Sequence, residues 1–319
     1  MIAVTGAAGF IGSHLCHRLA AEGYDLLLVD RSLSPAKASN LAGLPPFRFL
    51  WHDAFLAELE EGRVAPDVIF HLGACSRTTE TDWAFLERNN IGYSQALWRW
   101  CARHGRPFYY ASSAATYGDG SRGFDDQVLP ELLEPLNLYG KSKNDFDRWA
   151  LTQLDSPPQW AGLKFFNVYG TCEAHKNRMA SVVWQAYRQI VETGAVRLFR
   201  SNDPTIADGE QRRDFVFVGD CVDHLLWLWR HRAHNGLYNS ATGQARTFLD
   251  LANAVFAALG RPRNLEFIDT PPDIARQYQN FTQAEMGTLR LAGYDRPATI
   301  LEEGISRTVA ELQQPATAA

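Results

Sequence analysis

The sequence predicts an α/β protein in which a doubly wound parallel sheet of Rossmann type is followed by a smaller α/β domain. Three observations predict it. An apolar run at Met1 to Val4 leads into glycines at 6, 9 and 12, and helical spacing follows at Phe10, Ile11, Leu15 and Leu19. Short apolar runs then alternate with helical patterns through the first half of the 319 residues, the rhythm of βαβ units. Two of those runs end in small or hydroxyl residues, at the carboxyl ends of strands where open parallel sheets hold ligands.

The glycine turn is a dinucleotide-binding signal because strand, turn and helix occur in the required order. Gly6 permits the tight turn, Gly9 lets backbone approach a pyrophosphate, and Gly12 lets helix and strand pack closely. The N–H groups of Phe10 and Ile11 then open a helix whose dipole favours phosphate. A net charge of -5 and a pI near 6.0 provide no basic field for nucleic acid or anionic membrane, so the expected partner is a small molecule. The 5 cysteines are widely spaced and lack paired metal spacing, which fits a reducing compartment and no metal. No apolar run reaches the ~20 residues that span a bilayer, so a soluble, unprocessed cytoplasmic protein is expected, with a frayed tail at Pro315 to Ala319.

Asp25 to Asp30 reads as the second strand, and its terminal acid stands where such units meet the adenosine ribose. Asp30 alone favours NAD, by accepting from the 2′-hydroxyl, whereas Arg31 and Lys37 suit the 2′-phosphate of NADP. The balance favours NADP, with NAD the alternative. Phe47 to Trp51 is a third strand, with His52 and Asp53 at the adenine end, and Ala54 to Glu61 a helix. Asp67 to His71 is a fourth strand running into Leu72, Gly73, Ala74, Cys75 and Ser76, small enough for a dinucleotide to lie against them. His71 reads as a packed histidine. Trp83 to His104 is a long helix carrying Asn89 and Asn90, amides able to bond the cofactor or backbone.

Pro107 to Ala111 is the next strand, ending in Ser112 to Gly118, and an acid- and proline-rich loop from Asp119 to Pro135 precedes a helix from Leu138 through Leu154. Tyr139 and Lys143 are four apart and share one face of that helix. A tyrosine with a reference pKa of ~10 is a poor base, but an ammonium and an oxidised nicotinamide both favour its anion. Tyr139 would then take an alcohol's proton while hydride leaves, with Ser113 holding the same oxygen.

The glycine turn, Ser113 and the Tyr139/Lys143 pair resemble the extended short-chain dehydrogenase/reductase superfamily, most of which works on nucleotide sugars. Gly73 to Ser76, Ser112 to Gly118, Phe166 to Gly170, His175-Lys176 with Met179 to Ser181, and Phe281 to Ala284 resemble the ADP-glyceromanno-heptose 6-epimerases over nearly the whole chain. That resemblance implies NADP, an ADP-linked heptose, and hydride removal and return at the sixth carbon in a homo-oligomer. It leaves open whether the product enters lipopolysaccharide or a small secreted metabolite. Inversion requires the proton on oxygen to be handled in two arrangements, and the family implies Lys176 as a second base beside Tyr139. It also implies Val168 as a cofactor contact, Asn167 and Tyr278 as substrate contacts, and Arg213 as the grip on the diphosphate.

In the second half the expected elements are Leu163 to Phe166 as the last strand of the first domain, then a helix over 179–191 and a strand over 196–199. A helix over 221–232, a strand over 237–239, a helix over 248–259, a strand over 265–268 and a helix over 300–312 follow. The expected division is 1–167 for the NADP-binding domain and 168–319 for the mainly substrate-binding domain, with 212–247 packing back on the first. Three features depart from the resembling family, all on the substrate side: Arg178 in place of a small hydroxyl residue, Gln185 in place of a histidine, and a longer loop from Arg200 to Gln211. Dehydration is disfavoured because Ala114 and Ala115 occupy the positions where dehydratases carry an Asp-Glu pair. An epimerase or reductase acting on a different nucleotide sugar stays an alternative; a non-catalytic dinucleotide binder, the second, would have little use for Ser113, Tyr139, Lys143 and Lys176 together.

Overall fold

The computed structural model describes residues 1–271 and 279–314. Seven strands form one parallel sheet: β1 (Ile2–Thr5), β2 (Leu26–Asp30), β3 (Arg48–Trp51), β4 (Val68–His71), β5 (Phe108–Ser113), β6 (Trp160–Phe165) and, after three strands placed elsewhere, β10 (Gly236–Ser240). Their order is β10-β6-β5-β4-β1-β2-β3. Strand β1 pairs in parallel with both β2 and β4, so the chain reverses its direction of winding there, and the glycine turn sits at the reversal. Strands β1, β2, β4 and β6 are buried along their whole length, which explains why they read as unbroken apolar runs.

Helices cover both faces. On one, Leu15 and Leu19 of α1 (Phe10–Ala21) and Leu225 of α8 (Val218–His231) pack on Val4, Leu28 and Phe70. On the other, Phe55 of α3 (His52–Glu60), Trp98 of α5 (Tyr93–His104) and Phe146 of α6 (Leu138–Leu151) pack on Leu27, Ile69 and Phe108. A separate core joins α7 (Val182–Thr193), α9 (Phe248–Ala258) and the last helix, Leu301–Leu312. Two small sheets serve it: β7 (Asn167–Tyr169), β9 (Arg212–Phe217) and β11 (Ala245–Thr247) in one, β8 (Val196–Phe199) and β12 (Leu265–Ile268) in the other.

Strand β10, in the 212–247 stretch expected to pack back on the first domain, adds a parallel strand outside β6. Several expectations change. Strand β5 runs to Ser113, so both serines lie in the strand itself. The helix expected over 83–104 is interrupted: α4 (Trp83–Leu86) passes into a π-type segment at Glu87–Gly92 before α5. Wider turns of this kind free a side chain from the regular ladder, and Asn90 uses the freedom, as described below. Helix α6 stops at Leu151, and α7 begins only at Val182, where the Ser181 hydroxyl caps the Trp184 N–H. Among the described residues no helix is long and apolar enough to cross a membrane.

Candidate active site

The glycine turn is built by close backbone approach. Gly6 has φ +67°, and a Cβ there would lie 2.7 Å from the Gly73 nitrogen, so the turn after β1 presses on the segment that leaves β4. Helix α1 starts at Gly9 without a side-chain cap, which leaves its leading N–H groups to an incoming anion. Asp30, 3% exposed, accepts from Ala8 N at 3.0 Å and Arg31 N at 2.7 Å. It also accepts from Ser32 N at 3.3 Å and from the Lys37 ammonium, on the short helix α2 (Pro35–Ala38), at 2.7 Å. Arg31 extends over the Phe85 ring and donates to Asn89 Oδ1 at 3.1 Å. Asp30, Arg31, Lys37 and Asn89 therefore form one polar rim beside the turn.

Next along the sheet, His71 lies between the Thr5 hydroxyl (2.6 Å) and the Ser94 hydroxyl (2.9 Å). Ser94 donates to the Asn90 carbonyl, so it accepts from His71 Nε2–H, and Nδ1 accepts from Thr5. Burial, reinforced by the charge of Lys143, holds this imidazole neutral. His71 is a packed histidine. Asn90 joins three segments: it accepts from Cys75 N at 2.9 Å and donates to Cys75 O at 3.0 Å and to Ser142 Oγ at 2.9 Å. The loop of Gly73, Ala74 and Ser76 is thereby fixed to α6.

Helix α6 is started by Asn137, whose side chain accepts from Gly140 N at 2.8 Å. Gly140 lets the helix lie against the end of β5, since a Cβ there would stand 2.6 Å from the Ala115 carbonyl. Tyr139 and Ser113 meet across this contact, near enough for the serine hydroxyl to act on the phenol. Burial raises the Tyr139 pKa above its ordinary value, and the serine hydroxyl opposes that rise. Lys143, 4% exposed, donates to the Ala111 carbonyl at 2.9 Å, and burial brings its pKa down to about 8 against the pull of Asp147 and Cys75. Ser113, Tyr139 and Lys143 are thus brought together at the carboxyl end of β5, two strands from the glycine turn.

Lys176 arrives from another segment, Ala174–Met179, in which two short helical turns meet at a kink where Asn177 has φ +49°. Its ammonium lies over the Phe10 ring, 4.7 Å from the centroid, and donates to Glu173 Oε2 at 2.9 Å. Glu173 is fully buried and also accepts from Ser181 N and Ser181 Oγ, at 2.8 and 2.6 Å. The sequence reading missed this acid, although its place three residues before Lys176 was a usable signal. Asn167 is exposed at the start of β7, and Val168 is half-buried beside it. Arg178 is exposed, while Gln185 donates to the Asn177 carbonyl at 2.7 Å and so braces the Lys176 segment.

Arg213 is buried in β9 and does not pair with Asp214 or Asp220, which serve Thr242 and Thr299 instead. Its guanidinium donates to the Arg212 and Gln279 carbonyls. Two adjoining cavities open there, of about 330 and 320 Å³, sharing Asn280 and Phe281 as a wall. Asp119 and Gly120 line one, and Thr205, Ile206 and Glu210 of the long loop line the other. Tyr278 and the tail at 315–319 lie outside the described residues.

The NAD dependent epimerase/dehydratase family matches residues 2–241. The chain is 46% identical to an ADP-L-glycero-D-manno-heptose-6-epimerase of Nitratidesulfovibrio vulgaris, over 97% of either chain. It is 47% identical to the enzyme of the same name from Alkalilimnicola ehrlichii, over 96% of this chain and 95% of that one. The crystal structure of the Helicobacter pylori ADP-L-glycero-D-manno-heptose-6-epimerase superposes with a TM-score of 0.82 at 27% identity, covering 98% of this chain and 95% of that one. With this fold and this length of likeness, the chain belongs to the NAD dependent epimerase/dehydratase family, in its ADP-glyceromanno-heptose 6-epimerase branch, and is a nucleotide-sugar epimerase.

Proposed function

We propose that the protein converts ADP-D-glycero-D-manno-heptose to ADP-L-glycero-D-manno-heptose, by transient oxidation and re-reduction at the sixth carbon with NADP as its resident cofactor. The observation that carries the reading is the presence of two proton-handling groups on different segments: Tyr139 with Ser113 and Lys143 at the end of β5, and Lys176 over Phe10 beside the glycine turn. A site that only oxidised would need one.

The residues present fit a dinucleotide. The uncapped start of α1 and the close approach of Gly6 to Gly73 leave room and N–H groups for a pyrophosphate, contacted by Gly9, Phe10, Ile11 and Gly12. Arg31 and Lys37 would hold the 2′-phosphate, and Leu72, Gly73, Ala74, Ser76, Asn89, Tyr139, Lys143 and Val168 the remainder. When bound, the nicotinamide supplies the acceptor and donor of hydride for both half-reactions. Tyr139, held toward its anion by Lys143, removes the hydroxyl proton of one epimer, while Ser113 bonds the same oxygen. Lys176 handles the proton when the oxygen is presented in its other arrangement. In this reading Arg213 and Tyr278 are assigned to the diphosphate, and Asn167, Arg178 and Gln185 to the sugar and nucleotide. The working protein is a soluble cytoplasmic homo-oligomer.

The test is to incubate purified protein with ADP-D-glycero-D-manno-heptose, without added cofactor, and follow the sixth carbon by NMR. Conversion toward the L-glycero epimer is expected. No conversion even with NADP added would overturn the substrate and favour a second reading, a different nucleotide sugar. The observations behind that reading are that Arg178 is exposed and that the long 200–211 loop walls a cavity.

A further inference from the structure

Behind Ser113 and Lys143 lies a cluster of charged groups cut off from water. Asp147 stands one helical turn after Lys143 on α6, and Lys164 stands on β6; both are 0% exposed. Asp147 accepts from Tyr110 OH at 2.9 Å and from Ser112 Oγ at 2.6 Å, the residue next to Ser113. The Lys164 ammonium lies 3.6 Å from Asp147 Oδ2 and donates to Thr116 Oγ1 at 2.9 Å. The Thr116 hydroxyl donates in turn to the Ser113 carbonyl at 2.9 Å. Every partner is thus a residue of β5, of the segment just beyond it, or of the neighbouring strand.

Buried ions are costly to keep, and an apolar pair of equal volume would fill such a space as well. Two lysines act on this one carboxylate, Lys164 from 3.6 Å and Lys143 by its charge from one turn earlier on α6. The groups facing Lys143 are Asp147 on its own helix, the Ala111 carbonyl of β5, Cys75 beyond β4, and neutral His71.

We propose that Asp147 is a positioning residue of the reaction: shared between Lys143 and Lys164, its carboxylate keeps Lys143 an ammonium and clamps the serine end of β5 to α6. This rests on the reading of Lys143 as the group that supports the Tyr139 anion. Asp147 attracts Lys143 by its charge, which opposes the desolvation that brings the lysine down to about 8.

The experiment compares wild type with Asp147→Asn, Asp147→Glu and Lys164→Met, by the pH profile of turnover and by NMR titration of lysine labelled at the ε-carbon. In wild type the alkaline limb follows loss of the Lys143 proton. Asp147→Asn is expected to move that limb, and the Lys143 resonance, down by about one pH unit. At pH near the wild-type lysine's value, kcat should fall about fivefold while KM stays within about twofold. Asp147→Glu should restore both readouts. Lys164→Met is expected to move both the opposite way, because the carboxylate then serves Lys143 alone, and it carries the test should Asp147→Asn not fold. A limb and resonance that stay in place in these variants overturn the proposal. Lys143→Met separates the two ideas. Normal turnover there removes the reading of the site itself, whereas lost turnover with unmoved Asp147 variants removes only the role given to Asp147.

Discussion

The Lys37 ammonium lies 2.7 Å from Asp30 Oδ1, so the acid that ends β2 is already neutralised by a cation of the following loop. Its carboxylate also accepts the Ala8 and Arg31 N–H groups, which leaves little of it for a ribose hydroxyl. Lys37→Met should therefore lower NADP affinity about tenfold to a hundredfold, the range of one charge-assisted bond, while NAD binds as well or better. Calorimetric titration with both cofactors checks this. Equal losses for the two would contradict a 2′-phosphate role for Lys37.

Tyr139 lies near the Ser113 hydroxyl, and Gly140 sets its helix against Ala115. Tyr139→Phe keeps that packing and removes one proton. Turnover is expected to fall by ~10²–10⁴, the usual worth of acid–base work, with cofactor affinity close to wild type. Near-normal turnover would take Tyr139 out of the chemistry.

Glu173 orders the Lys176 segment, because its buried carboxylate holds both the ammonium and the Ser181 cap of α7. Lys176→Met leaves that carboxylate with only Ser181, at a cost of about 1 kcal/mol, discounted because the lysine is partly exposed. Epimerisation should suffer far more than NADP binding. A variant that inverts at the wild-type rate would leave Lys176 a structural ion pair.

His71 and His224 are both buried and held neutral by desolvation, His224 with a pKa of about 4. In the unfolded chain each takes up its proton near ~6.5. A depressed folded value means the unfolded state binds more protons, so this contribution is intact above that pH and declines as pH falls toward about 4. Urea midpoints should drop across this window, and His224→Gln should flatten the slope. An unchanged slope in the variant would show that other groups govern acid unfolding.

The glycine turn, the strand-end serines and the Tyr139/Lys143 spacing were legible from sequence because each rests on local geometry: a turn, a strand terminus, a shared helix face. Asp147 and Lys164 were not, since neither belongs to a pattern until β5, β6 and α6 are packed. The strand Arg212–Phe217 reads from sequence only as a functional segment, because its partners β7 and β11 lie far away along the chain. The π-type segment escaped for a related reason, since Asn90 takes its shape from Cys75 and Ser142.

The sequence by itself determined the layered α/β fold, the glycine turn and the chemical types of the candidate side chains, because periodicity and short-range spacing suffice for these. Only the tertiary structure decided what those side chains face. It put Lys37 on Asp30, Lys176 on Glu173, Arg213 on backbone carbonyls, and a water-free carboxylate behind Lys143. Charges act across space, and their strength depends on burial, so contacts between distant segments set the protonation states that the reaction uses.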